Sequence, residues 1–182
     1  MIFGKHISYP SVGDAILNIK QVENFKTTIN DLANNIGNLS NRIFTILQKN
    51  YECKIPHVSS NHTVNSSLII DIKKLIKFMD NYEIHNYVKE IHFYSSAVNK
   101  YVNDNEPWNK KTNSDQNIQN ILFSSLFALR NIFILLYPIM PKVCEVFLKN
   151  MNINKPLLNL VNTDLKKGEQ ISKPDLLFKK YD

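Results

Sequence analysis

Cysteine, glycine, tryptophan and arginine are all scarce in this chain of 182 residues, and each scarcity excludes something. Its two cysteines, Cys53 and Cys144, stand far apart with no Cys-x-x-Cys spacing, which argues against a disulfide framework and for reduced thiols. Cys53, His57 and His62 are the nearest approach to a metal cluster. A structural zinc needs four well-placed ligands and nothing completes this set, so no metal site is expected. Four dispersed glycines cannot make a phosphate-cradling loop, and the length leaves no room for a doubly wound nucleotide-binding domain beside a helical one. The N-terminus carries Lys5 and His6 without an apolar stretch behind them, so a secretory leader is not expected.

Long apolar runs are also few. One, Ile121 to Met140, is long enough to span a bilayer, but Arg130 and Asn131 fall at its centre. A central arginine costs roughly 2.5–3.5 kcal/mol on insertion scales, and paired serines and Pro138 weaken the case further, so a buried core helix is expected rather than a membrane span.

What is present is an ordinary globular composition, 43% hydrophobic, with a net charge of +6 and a pI near 9.2. The excess favours an anionic partner such as RNA, although a general bias toward lysine and asparagine would produce the same charge. Of 22 basic residues only Arg42 and Arg130 are arginine. A guanidinium offers a planar fork of donors that an ammonium cannot imitate, so each arginine hints at a specific task. For Arg130, inside the apolar run, that task is expected to be a structural salt bridge or helix contact.

Apolar residues at Phe25, Ile29, Leu32, Ile36, Leu39, Ile43 and Ile46 alternate steps of four and three, predicting one long amphipathic helix from about 23 to 50. Asn34, Asn38, Arg42 and Thr45 lie away from that stripe. A loop follows from Lys54 to Val64. A second helix is expected over about 66–81 with Leu68, Ile72, Leu75, Ile76 and Met79 inward and Lys73, Lys74 and Lys77 solvated. A third is expected over about 83–103, with Ile84, Val88, Ile91, Ser95, Val98 and Val102 inward. It must stop before Pro107, which leaves Trp108, the only tryptophan, at the start of an exit loop. A fourth covers about 116–137 and a fifth about 141–149, with Pro141 suited to its first turn. The expected architecture is all-α: a bundle of about five helices over 23–182, an irregular tail over about 150–182, and a lead-in over 1–22.

Asn38 and Arg42 stand four apart and so neighbour each other on one helix face. That pairing, with Pro107 and Trp108 some sixty residues later, could read an unstacked base. Taken alone, an exposed asparagine–arginine pair is usually just solvated and a lone tryptophan is usually core. Order decides between these readings. Asp31-Leu-Ala-Asn34 with Gly37-Asn-Leu39 and Arg42, then Glu106-Pro-Trp108, then Leu129-Arg130 with Leu136-Tyr-Pro-Ile-Met-Pro141, and finally Leu165-Lys-Lys-Gly168 with Lys173-Pro-Asp-Leu-Leu-Phe178 together resemble the C-terminal anticodon-binding domain of the methionyl-tRNA synthetase family. The resemblance runs over roughly 25–182.

The resemblance implies recognition of the CAU anticodon of methionine tRNA, with Trp108 stacked on a base, Asn38 and Arg42 bonded to base edges, and Pro107 fixing the approach. It implies a cytoplasmic protein of translation that meets neither membrane nor DNA. The parent enzymes use ATP on a catalytic domain bearing His-x-Gly-His and Lys-Met-Ser-Lys-Ser type motifs. Neither string occurs here, so this chain is not expected to aminoacylate tRNA or to hold a cofactor by itself, and its catalytic partner would act in cis or in trans. A fragment, a split gene and a truncated frame all fit that expectation. Two alternatives stay open: the anticodon domain of another class Ia synthetase, such as that for cysteine, isoleucine or valine, and a helical protein-interaction module that no longer binds RNA.

Overall fold

The structure, a computed structural model, describes residues 12–111 and 114–174; before residue 30, side chains are described only at Glu23 and Thr27. The side chains of Phe25 and Ile29 of the first stripe, and the last four residues of the Lys173–Phe178 string, therefore lie outside the described set. Five α-helices carry the described fold: α1 (Val12–Asn50), α2 (Ile72–Asp80), α3 (Ile84–Asn105), α4 (Asp115–Leu136) and α5 (Pro141–Asn150). Among the described residues there is no strand, only an isolated bridge between Lys54 and Gln170. The all-α bundle with an irregular tail is the fold the apolar periodicity predicts.

Helix α4 is the centre. Every residue from Ile121 to Leu136 is buried, and α1, α3 and α5 pack around it. Its length and hydropathy would satisfy a membrane span, yet 89% of the apolar window is covered by the rest of the protein. Rings fill the space toward α5. Phe133 stacks on Phe147 with centroids 3.7 Å apart, and Phe44 of α1 meets Phe147 edge-on at 5.8 Å. Such aromatic pairs contribute about 0.5–1.5 kcal/mol beyond their buried area.

The first stripe packs inward as the spacing requires, with Leu32, Ile36, Leu39 and Ile43 fully buried and Phe44 and Leu47 beside them. Two expectations need correction. The first helix starts by Val12 rather than near 23, because the periodic apolar stripe marks where a helix is packed and not where it begins. The second expected helix is broken in two. A short 3-10 turn (Ser66–Leu68) is capped by the Asn65 side chain, and the chain then extends through Ile69 before Asp71 caps α2 by accepting from the Lys73 and Lys74 amides at 3.0 and 3.2 Å. Between the caps, Ile70 is bound on both sides by one side chain: its N–H donates to Asn162 Oδ1 at 3.4 Å, and its carbonyl accepts from Asn162 Nδ2 at 2.9 Å. The inward face of α2 is otherwise as expected, with Leu75 buried and Ile72 and Met79 packed against the core. Ile76, expected inward, is 41% exposed, while Phe78 packs against the core in its place.

After α5 the tail returns along the loop that follows α1. The Gly168 amide donates to Ile55 O at 2.8 Å, the Ile55 amide to Glu169 O at 2.9 Å, and the Ile171 amide to Cys53 O at 2.9 Å. Gly168 sits at φ +75, a left-handed conformation that favours glycine. Lys167 adds its ammonium to the carbonyls of Val58 and Ser59 at 3.1 and 3.3 Å.

Candidate RNA interface at the α1–α3 seam

Helices α1 and α3 pack together, and the candidate site lies along one edge of that seam. Asn38 and Arg42 project from α1 one turn apart, Asn38 exposed and Arg42 half-buried. Helix α3 supplies the other wall. It ends at Glu106, which takes a left-handed conformation (φ 39, ψ 60) while its amide still donates to Val102 O at 3.1 Å. Proline at the next position disfavours helical geometry for Glu106, so the helix must stop there. Pro107 is buried and pins the corner, and the Asn109 amide closes the turn on Glu106 O at 2.8 Å. Trp108 is thereby turned outward and remains 47% exposed.

The turn delivers Trp108 to Arg42. The guanidinium carbon lies 4.7 Å from the indole centroid, a cation–π arrangement worth about 0.5–1 kcal/mol at an exposed site. A second arm of the same guanidinium donates to Asn103 Oδ1 of α3 at 2.8 Å. Arg42 is therefore held from two directions by groups some sixty residues away. Nothing in the sequence singles out Asn103, one of several polar residues at a helix end.

Below the exposed edge a polar seam sets the helix register. Asn35 Nδ2 donates to Ser95 Oγ and Ser96 Oγ, each at 3.2 Å, and Asn99 Nδ2 donates to Asn35 Oδ1. Polar groups withdrawn from water, as Ser95 is fully and Asn35, Ser96 and Asn99 are in part, are costly unless paired, so the seam favours one register of α1 along α3, the one in which Arg42 meets Asn103. At the far end Tyr51 donates to Asp115 Oδ1 at 2.7 Å, and Lys110 reaches Asn50 Oδ1 at 3.3 Å. Burial and the neighbouring carboxylate raise the Tyr51 pKa, keeping the phenol protonated.

The other arginine does something else. Arg130 is 3% exposed and bonds the carbonyls of Thr163 and Asp164 in the tail, together with Asn131 Oδ1; the role is structural, as the expected salt bridge or helix contact would be, but its acceptors among the described residues are main-chain carbonyls and a neighbour on its own helix rather than a carboxylate. Burial brings its pKa down to about 10, so it is still charged at neutral pH. It lies outside the seam. The two histidines near Cys53 in sequence are engaged separately: His62 pairs with Ser124 Oγ at 3.2 Å, and His57 lies beneath Gly168.

A family model described as the anticodon-binding domain of tRNA ligases matches residues 61–178. The chain belongs to that family. Methionine–tRNA ligases are among its curated relatives: that of Rickettsia prowazekii (strain Madrid E) is 32% identical over 170 residues, covering 87% of this chain and 34% of that protein. The enzyme of Nanoarchaeum equitans (strain Kin4-M) is 32% identical over 168 residues, covering 87% of this chain and 20% of the other. The free-state methionyl-tRNA synthetase of Mycobacterium tuberculosis has the same fold, with a TM-score of 0.77 at 20% identity over 87% of this chain and 34% of that one. This anticodon-binding domain thus spans about a third or less of the length of these relatives. The family match includes Pro107 and Trp108 but begins after α1, so the Asn38–Arg42 half of the site is covered by the full-length relatives and not by the family model.

Proposed function

We propose that this domain reads the CAU anticodon of methionine tRNA, as the C-terminal arm of a cytoplasmic methionine–tRNA ligase whose catalytic domain lies in the same chain or a separate one. The observation that carries the reading is the convergence of Arg42 on a half-exposed Trp108, with Asn38 one helical turn away. Single-stranded loops are recognised by aromatic stacking combined with hydrogen bonds to splayed base edges. Trp108 offers the π-surface, and stacking contributes about 1–3 kcal/mol per base. Asn38 carries both a donor and an acceptor on one amide, which suits a base edge that presents both. Arg42 keeps further N–H groups available after its bond to Asn103, and that bond fixes the plane of its fork.

In this scheme the domain supplies affinity and orientation. Activation of methionine with ATP belongs to the catalytic domain, and the anticodon domain contributes by holding the far end of the tRNA in register. The exposed Trp108 favours this reading over a protein-interaction module, in which the ring would be expected in the core. The test is competition binding of the full chain to anticodon stem-loops bearing CAU or a triplet altered at one position. A preference of at least about tenfold for CAU, the value of one contact of roughly 1.4 kcal/mol, is expected. Equal affinity for both loops would refute anticodon reading, and a preference for a cysteine, isoleucine or valine triplet would move the domain to another synthetase.

A further inference from the structure

The tail reaches the candidate site. From Gly168 it is fastened to the loop after α1 through Ile55 and Cys53. The Ser172 amide then donates to Asn150 O at 3.0 Å, and Pro174 is buried. Between these anchors Lys173 is half-buried, and its ammonium donates to Thr45 Oγ1 of α1 at 3.1 Å. Thr45 gives its own proton to Asn41 O at 2.7 Å, so its free lone pairs face the ammonium. At 3.6 residues per turn, Asn38, Arg42 and Thr45 fall within an arc of about 60° on α1, and Thr45 lies only about 4.5 Å further along the axis than Arg42.

We propose that Lys173 is a phosphate-binding residue of the same RNA interface, carried by the tail to the edge of the base-reading face to hold the backbone of the anticodon loop. Three observations support this. The ammonium is fixed by a neutral hydroxyl, and no carboxylate among the described residues pairs with it, so its charge is available to an anion. From Asn38 to Asn50, α1 carries no acidic residue, and the exposed Lys49 continues the cationic stripe one turn beyond Thr45. The position, along the helix from the base-reading groups rather than among them, suits backbone contact, which positions a nucleic acid without reading its sequence. A lysine serves well there because phosphate binding needs a point charge and not a planar fork.

The inference rests on the anticodon-loop reading, and the experiment separates the two. Affinity of the full chain for CAU and altered stem-loops is measured between 50 and 300 mM salt for the wild type, Lys173→Gln, Lys173→Arg and Thr45→Val. Lys173→Gln is expected to weaken both loops equally, by about fivefold at moderate salt, and to reduce the slope of log affinity against log salt by about 0.7, one single-strand phosphate contact. Lys173→Arg should restore the slope, and Thr45→Val, which keeps the charge, should largely retain it. A second measurement requires no variant to be stable: methylphosphonate substitution at one loop phosphate should weaken the wild type by the same factor. If the wild type prefers CAU but Lys173→Gln leaves the slope unchanged, or no single loop phosphate matters, Lys173 is only a latch between tail and helix and the inference is overturned. Absence of any preference for CAU in the wild type would overturn the anticodon reading, and this inference with it.

Discussion

The chain has two arginines, and they occupy opposite environments. Arg130 of α4 is sealed beneath the tail, its two terminal nitrogens donating to the carbonyls of Asp164 and Thr163 while its Nε has no partner among the described residues, and Arg42 lies at the edge of the α1–α3 seam against Trp108 with one nitrogen on Asn103. In a chain that uses lysine for nearly every other cation, both places need what an ammonium lacks: several directed donors in one plane. Buried, the fork organises backbone. Exposed, it offers direction to a partner. The tail that Arg130 holds also lays Lys173 beside Thr45 of α1, less than one turn along the helix from Arg42.

Removing the buried guanidinium should have the largest effect. Arg130→Met would leave the Thr163 and Asp164 carbonyls without their donors, and about 3 kcal/mol of stability should be lost, seen as a lower urea midpoint with helical content retained. An unchanged midpoint would mean that water replaces the guanidinium and that the contrast between the two arginines is overstated. Next in size, Trp108→Ala should cost about 1–3 kcal/mol in binding of a CAU stem-loop while the urea midpoint barely moves. Loss of the fold would instead make Trp108 a core residue. Arg42→Lys should have a smaller effect: the charge persists but the fork is gone, so discrimination between CAU and an altered triplet should fall by roughly 1 kcal/mol with total affinity less affected. Equal weakening for every triplet would place Arg42 on phosphate instead.

The smallest effect is pH dependence on the Arg130 side of the molecule. Burial, and then the charge of Lys167, lower the His62 pKa, with Asp164 opposing. The unfolded chain therefore binds a proton near pH 6.5 while the folded chain still resists it, so the His62 contribution to stability is present above about 6.5 and is lost as pH falls through the folded value. The urea midpoint should decline from pH 7.5 to 5, and less steeply in His62→Gln; identical slopes would show that His62 is not the group responsible.

Much of this arrangement was legible in the sequence, and the exceptions have physical reasons. The spacing of Leu32, Ile36, Leu39 and Ile43 reports burial directly, because a helix repeats its face every three or four residues. Pro107 and Pro138 mark where helices must end. Ile76 differs because it falls at the edge of the stripe formed by Ile72, Leu75 and Met79, on the side away from Phe78, and the break before α2 is set by the Asn162 amide, a partner far away in sequence. The Arg130 partners were invisible because they are main-chain carbonyls, which every residue has. Asn103 was hidden for a related reason: its role exists only once α1 and α3 are packed, and a polar helix end has many such asparagines. Local periodicity thus put Asn38 and Arg42 on a face away from the core stripe and the family resemblance marked them as candidates, whereas the bond from Arg42 to Asn103 is a property of the tertiary packing.

Trp108, as the single tryptophan, reports on its own contacts. Titrating the full chain at moderate salt with a CAU stem-loop, the indole fluorescence should quench saturably as a base stacks on the ring, while a loop altered in the triplet should leave it nearly unchanged at the same concentrations. Equal quenching by both loops, or binding of the CAU loop without any change in the indole, would contradict the claim that the Arg42–Trp108 pair is where this domain reads RNA.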